Sequence, residues 1–244
     1  MKTIIQFLIL LLSTVHSFAK CGAGVFTFWP SSSVIKENSI FVVDGDGPYY
    51  SEIITKIGTV YKAYLKSGTQ KINLVIQEKL IGQFYSAQLI LKPEQNLTVG
   101  KEYDIFIENI KHPSKAESWQ SKMKWKVIAD KDNIAPLWAV KPFFKNSTYH
   151  ELGCGPVTFA NFQFLASDNA DFLVRTTVKN LTTGKETTYC LKTNNNLIEV
   201  GHGMCSGPFD FKDGDKFEVE FSLIDASGNV TTWTEQRLKF TRPS

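Results

Sequence analysis

Histidine is scarce in this 244-residue chain, which contains only four: His16, His112, His150 and His202. The sequence also lacks a Gly-x-Ser-x-Gly nucleophile elbow, a His-Glu-x-x-His pair, a phosphate-binding glycine loop and a dinucleotide fingerprint. These absences count against the commonest hydrolases, metalloproteases and nucleotide-dependent enzymes. The sequence therefore predicts a protein that is not an enzyme.

A strong excess of charge of one sign is missing as well. The formal net charge is +3. Residues 20–132 carry 15 basic and 12 acidic side chains, and residues 133–244 carry 11 and 12. A nucleic-acid binder would concentrate basic residues on one face. We therefore expect no nucleic-acid partner.

Long apolar runs are absent beyond the N-terminus. Lys2 precedes an apolar-rich run from Ile4 to Val15, and Ser17-Phe18-Ala19 then offers small residues before a cut. This layout is typical of a secretory signal peptide and is too short for a membrane span. We expect residues 1–19 to be removed, and the mature chain to be secreted, periplasmic or on the cell surface, with no transmembrane segment.

Alternating apolar and polar residues dominate the rest of the chain. Tyr103 to Ile110 alternates at period two, and two such runs flank a turn at residues 67–70. The turn-rich stretch from Ala129 to Pro136 separates two β-rich halves of similar length. The sequence predicts an all-β fold with two sandwiches, at residues 20–132 and 133–244.

A corner motif occurs once in each half. Leu97, Gly100 and Tyr103 have the same spacing as Phe211, Gly214 and Phe217, and an alternating strand follows each set. Glycine permits the turn, and the aromatic ring enters the core at the start of the strand. We expect the Tyr103 hydroxyl to bond back to the chain, whereas Phe217 can only pack.

These motifs resemble bacterial immunoglobulin-like domains of surface-layer and other exported proteins. The resemblance in the first half covers Leu91-Lys92-Pro93, Leu97, Gly100 and Tyr103. The resemblance in the second half also covers the turn from Asp225 to Asn229, which precedes Trp233. This half resembles fibronectin-III-like domains as well. It implies two tandem immunoglobulin-like sandwiches and says little about a ligand.

Four cysteines follow the expected signal peptide, and sequence alone leaves their pairing open. We expect a disulfide between Cys154 and Cys205, which both border strands in Gly/Pro-rich loops, with Cys190–Cys205 as the alternative and Cys21 unassigned. A further alternative is a zinc site of His202 with Cys154, Cys190 and Cys205. Such a site would support a metal-dependent hydrolase.

The linker itself resembles the calcium-binding linker between cadherin repeats. The matching residues are Asp130, Asp132, Asn133, Ala135 and Pro136. Calcium takes six to eight oxygen ligands, so acidic turns such as Asp44–Asp46 or Asp225–Asn229 would have to converge on the linker. The resemblance implies a possible calcium site at Asp130, Asp132 and Asn133, and no other cofactor is expected.

The run Lys122-Met123-Lys124-Trp125-Lys126-Val127 places three lysines on one face of a strand. This pattern favours an edge strand guarded by lysine, and the alternative is a basic strip for an anionic glycan. The sequence thus predicts a non-catalytic exported binding or spacer protein whose partner is a glycan or protein of the envelope. The alternative function is a structural component of a surface assembly.

Overall fold

The computed structural model describes residues 21–22, 24–108, 110, 119–120 and 123–243. The expected signal peptide, its cut before Lys20 and the side chain of Lys122 lie outside these residues. Within them, no helix is long and apolar enough to cross a membrane.

The first half consists of strands and one helix. In chain order they are β1 (Val25–Trp29), β2 (Val34–Ile35), β3 (Phe41–Asp46), α1 (Pro48–Lys56), β4 (Ala63–Ser67), β5 (Gln70–Ile81), β6 (Ser86–Pro93), β7 (Glu102–Ile107), β8 (Trp119–Gln120) and β9 (Trp125–Val127). The strands are ordered β1-β3-β6-β5-β4-β7-β9-β2, and β8 pairs with β7. Strand β5 pairs with β4 through residues 70–73 and with β6 through residues 74–81, and its pairing with β6 shifts register between Ile76 and Glu78.

The second half forms two sheets. Its strands are β10 (Leu137–Leu152), β11 (Gly155–Ser167), β12 (Phe172–Asn180), β13 (Glu186–Leu191), β14 (Leu197–His202), β15 (Lys216–Asp225), β16 (Val230–Thr231) and β17 (Leu238–Thr241). One sheet has the order β10-β11-β14, and the other has the order β13-β12-β15-β16, with β17 also paired to β15. The predicted all-β sandwich class is confirmed, and the domain boundary at residue 132 stays a prediction.

Helix α1 was not expected from the sequence. Pro48 fits the first turn, and Tyr50, Ile53 and Ile54 lie on the buried face. The helix packs closely on β3, because a side chain at Gly45 would come within 2.4 Å of the Tyr50 carbonyl oxygen. Nine residues are too few for a clear helical period, which is why the surrounding strand pattern hid it.

Two hydrophobic cores lie on opposite faces of β3 and β6. Phe41, Val43 and Leu89 point into a first core, which also holds Trp125, whereas the alternating residue Ile90 points into a second core. The second core is built mainly from the other half; its first-half members are Trp29, Ile40, Val42, Leu80 and Ile90. Strands buried on both faces read as continuous apolar runs, as these do.

Polar contacts also join the two halves. The Arg175 guanidinium donates to both carboxylate oxygens of Glu78, at 2.5 and 2.7 Å. The Gln88 side chain, fully buried, donates to the Cys190 carbonyl at 2.9 Å and accepts from the Cys190 N–H at 3.1 Å. The halves therefore meet over a packed interface and not through the linker alone.

The predicted corners form in both halves. Gly100 and Gly214 each have φ +80°, a conformation that favours glycine. The Tyr103 hydroxyl accepts a hydrogen bond from the Thr98 N–H at 3.2 Å, which confirms the expected back-bond. Phe217 stacks on Phe240 with ring centroids 5.2 Å apart.

Strand β9 is not an edge strand, contrary to the sequence interpretation. It lies between β7 and the parallel strand β2, where Val34 pairs with Lys126. Trp125 and Val127 are buried, and Lys124 and Lys126 are exposed, as the alternation predicted. The two-residue strand β2 was too short to be recognised from the sequence.

Candidate functional site

Asp132 of the linker is buried, with 2% of its surface exposed. Its Oδ1 accepts from the Ile134 N–H at 3.0 Å, and its Oδ2 accepts from the Lys36 ammonium at 2.9 Å. Burial opposes ionisation, but these donors outweigh it and hold the pKa of Asp132 below its usual value. The Asn38 amide fixes the Asp132 backbone by bonding both its N–H and its carbonyl. The linker is thus bound to the first half.

The turn from Asp225 to Asn229 reaches the same point from the second half. Asp225 is fully buried, and its Oδ1 accepts from the N–H groups of Ser227 and Asn229, each at 2.8 Å. The Asn229 amide donates to Asp225 Oδ2 at 2.8 Å and to the Asp132 carbonyl at 3.2 Å. One of the acidic turns considered in the sequence does therefore converge on the linker.

Asp168 completes a cluster of three carboxylates. One oxygen from each of Asp132, Asp168 and Asp225 lies within 4.8 Å of the others. The Asp168 Oδ1 accepts from the Asn169 N–H at 2.7 Å, whereas its Oδ2 is buried without a hydrogen-bond partner among the described residues. Burial, and then the charges of Asp225 and Asp132, raise the pKa of Asp168. The cluster holds more negative charge than its donors balance.

Lys36 supplies the positive charge beside this cluster. Its ammonium lies 2.9 Å from Asp132, 3.3 Å from Asp130 and 3.2 Å from the Asn169 side-chain oxygen. Burial lowers the pKa of Lys36, but the bonds to Asp132 and Asp130 outweigh it and raise the pKa overall. One ammonium offsets only part of the charge of the three clustered carboxylates.

The donor set fits a hard divalent cation. Calcium binds oxygen at 2.3–2.6 Å, so two oxygens on one ion lie at most about 5 Å apart. The three clustered carboxylates satisfy that limit, although calcium needs further oxygens to complete its shell. Asp132, Asp168 and Asp225 are therefore the residues that would hold the ion.

The predicted calcium set differs from this cluster. Asp132 belongs to it, but Asp130 is half exposed and pairs with Lys36, and Asn133 is exposed. Asp168 was missed because its loop follows β11, far from the linker in sequence. An Asp-Asn-Ala-Asp loop gives no spacing signal by itself.

A cavity of about 390 Å³ adjoins the carboxylates, with walls from both halves. Lys36 and Ser32 line it on one side, and Asp168 and Asp171 line it on the other. The Asp171 Oδ2 accepts from the Ser32 N–H at 2.7 Å, which fixes one rim. The junction thus combines a cavity with buried charge.

The disulfide joins Cys205 to Cys21, with Cα atoms 5.5 Å apart, and the expected pairing with Cys154 is wrong. A backbone bridge between Phe84 and Gly207 places the Cys205 loop against the first half. The N-terminal segment lies there too, so Cys21 reaches Cys205. The sequence leaves Cys21 unassigned, because no local motif places it beside Cys205.

The zinc site predicted as an alternative does not form, because the Cys205 sulfur is bonded to Cys21. His202 is buried against Phe84, and its Nδ1 lies 2.8 Å from the Gly203 carbonyl. Cys190 is a buried thiol in the interface, and burial raises its pKa to about 12. Because Cys205 is bonded to Cys21, the alternative pairing of Cys190 with Cys205 is also wrong.

Comparisons with known proteins assign no family. No family model matches the chain, and no curated protein matches it. Among solved structures, it is similar to a pullulanase of Anoxybacillus sp. LM18-11 (13% identity, 88% of this chain, 25% of that one, TM-score 0.27). It is also similar to pullulanase type I of Bacillus subtilis str. 168 complexed with maltose (10% identity, 91% and 25%, TM-score 0.27). A third structure is described as tandem Ig repeats of Dlar (8% identity, 88% and 97%, TM-score 0.27).

The chain spans a quarter of the length of the two pullulanases. TM-scores of 0.27 are too low to transfer a fold or a function, so the proposals below depend on this chain's own residues.

Proposed function

We propose that this chain is a non-catalytic exported protein that acts as a rigid two-module binder or spacer outside the reducing cytoplasm. The observation that carries the proposal is the interface between the halves. It combines a shared hydrophobic core, the Arg175–Glu78 ion pair and the Cys21–Cys205 disulfide. Modules within one chain are expected to move relative to each other unless a large apolar interface holds them.

The disulfide supports a location outside the reducing cytoplasm. Such bonds persist in oxidising surroundings and are rare in the cytosol. This agrees with the apolar N-terminal run, which predicts export. Cell surface, periplasm and extracellular space all satisfy both observations.

The outer face of the first half offers a surface for a polar ligand such as a glycan. Tyr64 and Phe106 stack there with ring centroids 5.5 Å apart. A neighbouring basin of about 530 Å³ is lined by Lys66, Ser67, Gly68, Glu102, Asp104, Phe106 and Lys124. Carboxylates and ammonium groups beside an aromatic edge provide both the hydrogen-bonding groups and the apolar contact that a sugar ring needs.

An array of envelope and extracellular glycans, together with pull-downs from envelope protein fractions, tests the proposal. We expect saturable binding to at least one glycan or protein class and no turnover of a panel of glycoside and ester substrates. Turnover that persists through repurification and scales with protein concentration would contradict a non-catalytic role. Heat-unfolded protein is the control for nonspecific adsorption.

A second candidate is a structural component of a surface assembly, which β10 favours. Among the described strands it pairs with β11 on one side only, and Leu137, Phe143 and Phe144 on it are 62%, 50% and 47% exposed. Long apolar edge strands are sites at which another chain adds a strand.

Sedimentation velocity over a wide concentration range tests this second role. We expect Phe143→Lys to abolish any self-association of the purified protein, while the exposed control Val60→Lys leaves it unchanged. A strict monomer with no crosslinked partner at high concentration would rule out self-assembly through β10.

We further propose that the junction carboxylates bind calcium and stiffen the unit. A ligand that binds only the folded state at a hundredfold excess over its Kd stabilises by about 2.7 kcal/mol. Millimolar calcium is therefore expected to raise the melting temperature relative to EDTA, and Asp168→Asn should remove the increase. In EDTA the same variant should melt about 2–4 °C higher for each kcal/mol of relieved repulsion.

The matched control is Asp130→Asn, which changes a linker carboxylate outside the cluster. It should keep the full calcium response. Equal melting of the unmodified protein in EDTA and in millimolar calcium would exclude the site, and a lost response in Asp130→Asn would favour the set predicted from sequence.

A further inference from the structure

We propose that Cys154 is an internal exchange partner of the Cys21–Cys205 disulfide. The disulfide can then move from Cys21 to Cys154 within one molecule, which frees the Cys21 thiol. This goes beyond the binding or spacer function and does not depend on it.

The turn that carries Cys154 lies next to the loop that carries Cys205. Thr158 of β11 pairs with His202 of β14. The two strands stop pairing there, and the Cys205 loop is a turn in which the Gly203 N–H donates to the Ser206 carbonyl. A Cβ atom at Gly155 would lie 3.7 Å from the Met204 carbonyl oxygen, so the residue after Cys154 packs against the residue before Cys205.

The disulfide approaches the same carbonyl from its other side. The Cys21 sulfur lies 4.0 Å from the Met204 oxygen, and Cys205 is the next residue in the chain. Cys154 precedes Gly155 in the turn between β10 and β11, where Leu152 pairs with Gly155. The residue after Cys154 and the Cys21–Cys205 disulfide therefore both border the Met204 carbonyl, and all three cysteines are partly exposed.

The backbone around these cysteines can adapt to a new bond. A Cβ atom added at Gly22 or at Gly153 would meet no heavy atom of the described residues within 4 Å, so both segments have open space around them. A disulfide needs Cα atoms about 4.4–6.8 Å apart. We expect movement of the Gly153 segment to bring Cys154 within this range of Cys205.

The chemistry is a thiol–disulfide exchange that needs no oxidant. The Cys154 thiol loses a proton, and its thiolate attacks the Cys205 sulfur. The Cys154–Cys205 bond forms as the Cys21–Cys205 bond breaks, and the leaving Cys21 thiolate takes up a proton. The number of disulfides and thiols is unchanged.

Cys190 does not compete in this exchange. It is buried in the interface between the halves, with 3% of its surface exposed, and its N–H and carbonyl bond the Gln88 side chain. It therefore provides a matched control for the loss of one thiol.

Disulfide mapping by mass spectrometry tests the exchange in the unmodified protein. The folded protein is incubated at pH 8 with a trace of glutathione, quenched in acid, alkylated and digested. We expect a peptide pair linked through Cys154 and Cys205, together with alkylated Cys21. Cys154→Ser should abolish this pair, and Cys190→Ser should keep it.

A second variant tests whether Cys154 can reach Cys205. Cys21→Ser, produced under oxidising conditions, should contain the Cys154–Cys205 disulfide and no alkylatable thiol at either position. Two alkylatable thiols in this variant, or no Cys154–Cys205 linkage in the unmodified protein at equilibrium, would overturn the proposal.

Discussion

Asp44 is a carboxylate buried between the halves, with 8% of its surface exposed. The Gln88 amide donates to its Oδ1 at 2.6 Å. Burial raises its pKa from 3.8 to about 6, although Lys192 and the Gln88 bond act in the opposite direction, while the nearby charge of Asp46 adds to the rise. Ionised Asp44 therefore destabilises the interface at neutral pH.

The direction of the pH effect follows from this shift. A group whose pKa is higher in the folded state contributes stability below the unfolded pKa, near 3.8, and that contribution is lost as pH rises through about 6. Asp44→Asn should raise the free energy of unfolding at pH 7 by roughly 1–3 kcal/mol, since one pKa unit corresponds to about 1.4 kcal/mol. It should also flatten the stability profile between pH 4 and pH 6.

Urea unfolding of both proteins across pH 4–7.5 provides the measurement. The exposed control Asp213→Asn should leave the slope between pH 4 and pH 6 unchanged. If the free energy of unfolding of Asp44→Asn changed with pH as steeply as that of the unmodified protein, another group would be responsible for the pH dependence.

Single residues were predictable where their partners are close in sequence. The Tyr103 bond to Thr98 spans five residues, so the corner motif was enough to expect it. Asp168 and Cys21 were not predictable, because their partners lie in distant segments that only the tertiary structure brings together.

At the scale of elements, β6 serves both cores. Leu89 is fully buried in the first core, and its neighbour Ile90, 4% exposed, packs in the second. A strand of the first half thus completes the interior of the second.

Ile90→Ala should lower the free energy of unfolding by about 2–4 kcal/mol, because it leaves a cavity in the second core. Hydrogen exchange should show the largest loss of protection in β12 and β15. The adjacent control Leu89→Ala should instead affect β4 and β7 most. If Ile90→Ala loosened only first-half strands, the assignment of Ile90 to the second core would be wrong.

Strands that are buried on one face were predicted well, since period-two alternation reports such burial directly. Tyr103, Ile105 and Ile107 all point inward as expected, and the β4–β5 hairpin forms at the predicted turn. Helix α1 and the two-residue strand β2 escaped detection because each is too short to establish a period.

At the scale of the whole molecule, the sequence interpretation placed two sandwiches on either side of a linker. The fold class is confirmed, but the extent of contact between the halves was not foreseeable. Both Glu78 and Arg175 resemble ordinary exposed charges in an alternating strand, and only the tertiary structure pairs them.

The linker also has a different character from the one expected. The sequence predicted a turn-rich stretch around Asp132, yet Asp132 is buried and bonded to both Lys36 and Asn38. A linker that is anchored at Asp132 to the first half and at its carbonyl to Asn229 of the second half restricts rotation between the halves.

The span of the disulfide has a consequence for biosynthesis. Cys21 precedes Cys205 by 184 residues, so its sulfur leaves the ribosome long before its partner does. Cys154 also leaves the ribosome before Cys205, so both Cys21 and Cys154 are present when Cys205 appears. The native bond can close only after Cys205 has left the ribosome, so its presence marks a molecule in which both halves have been synthesised through β14.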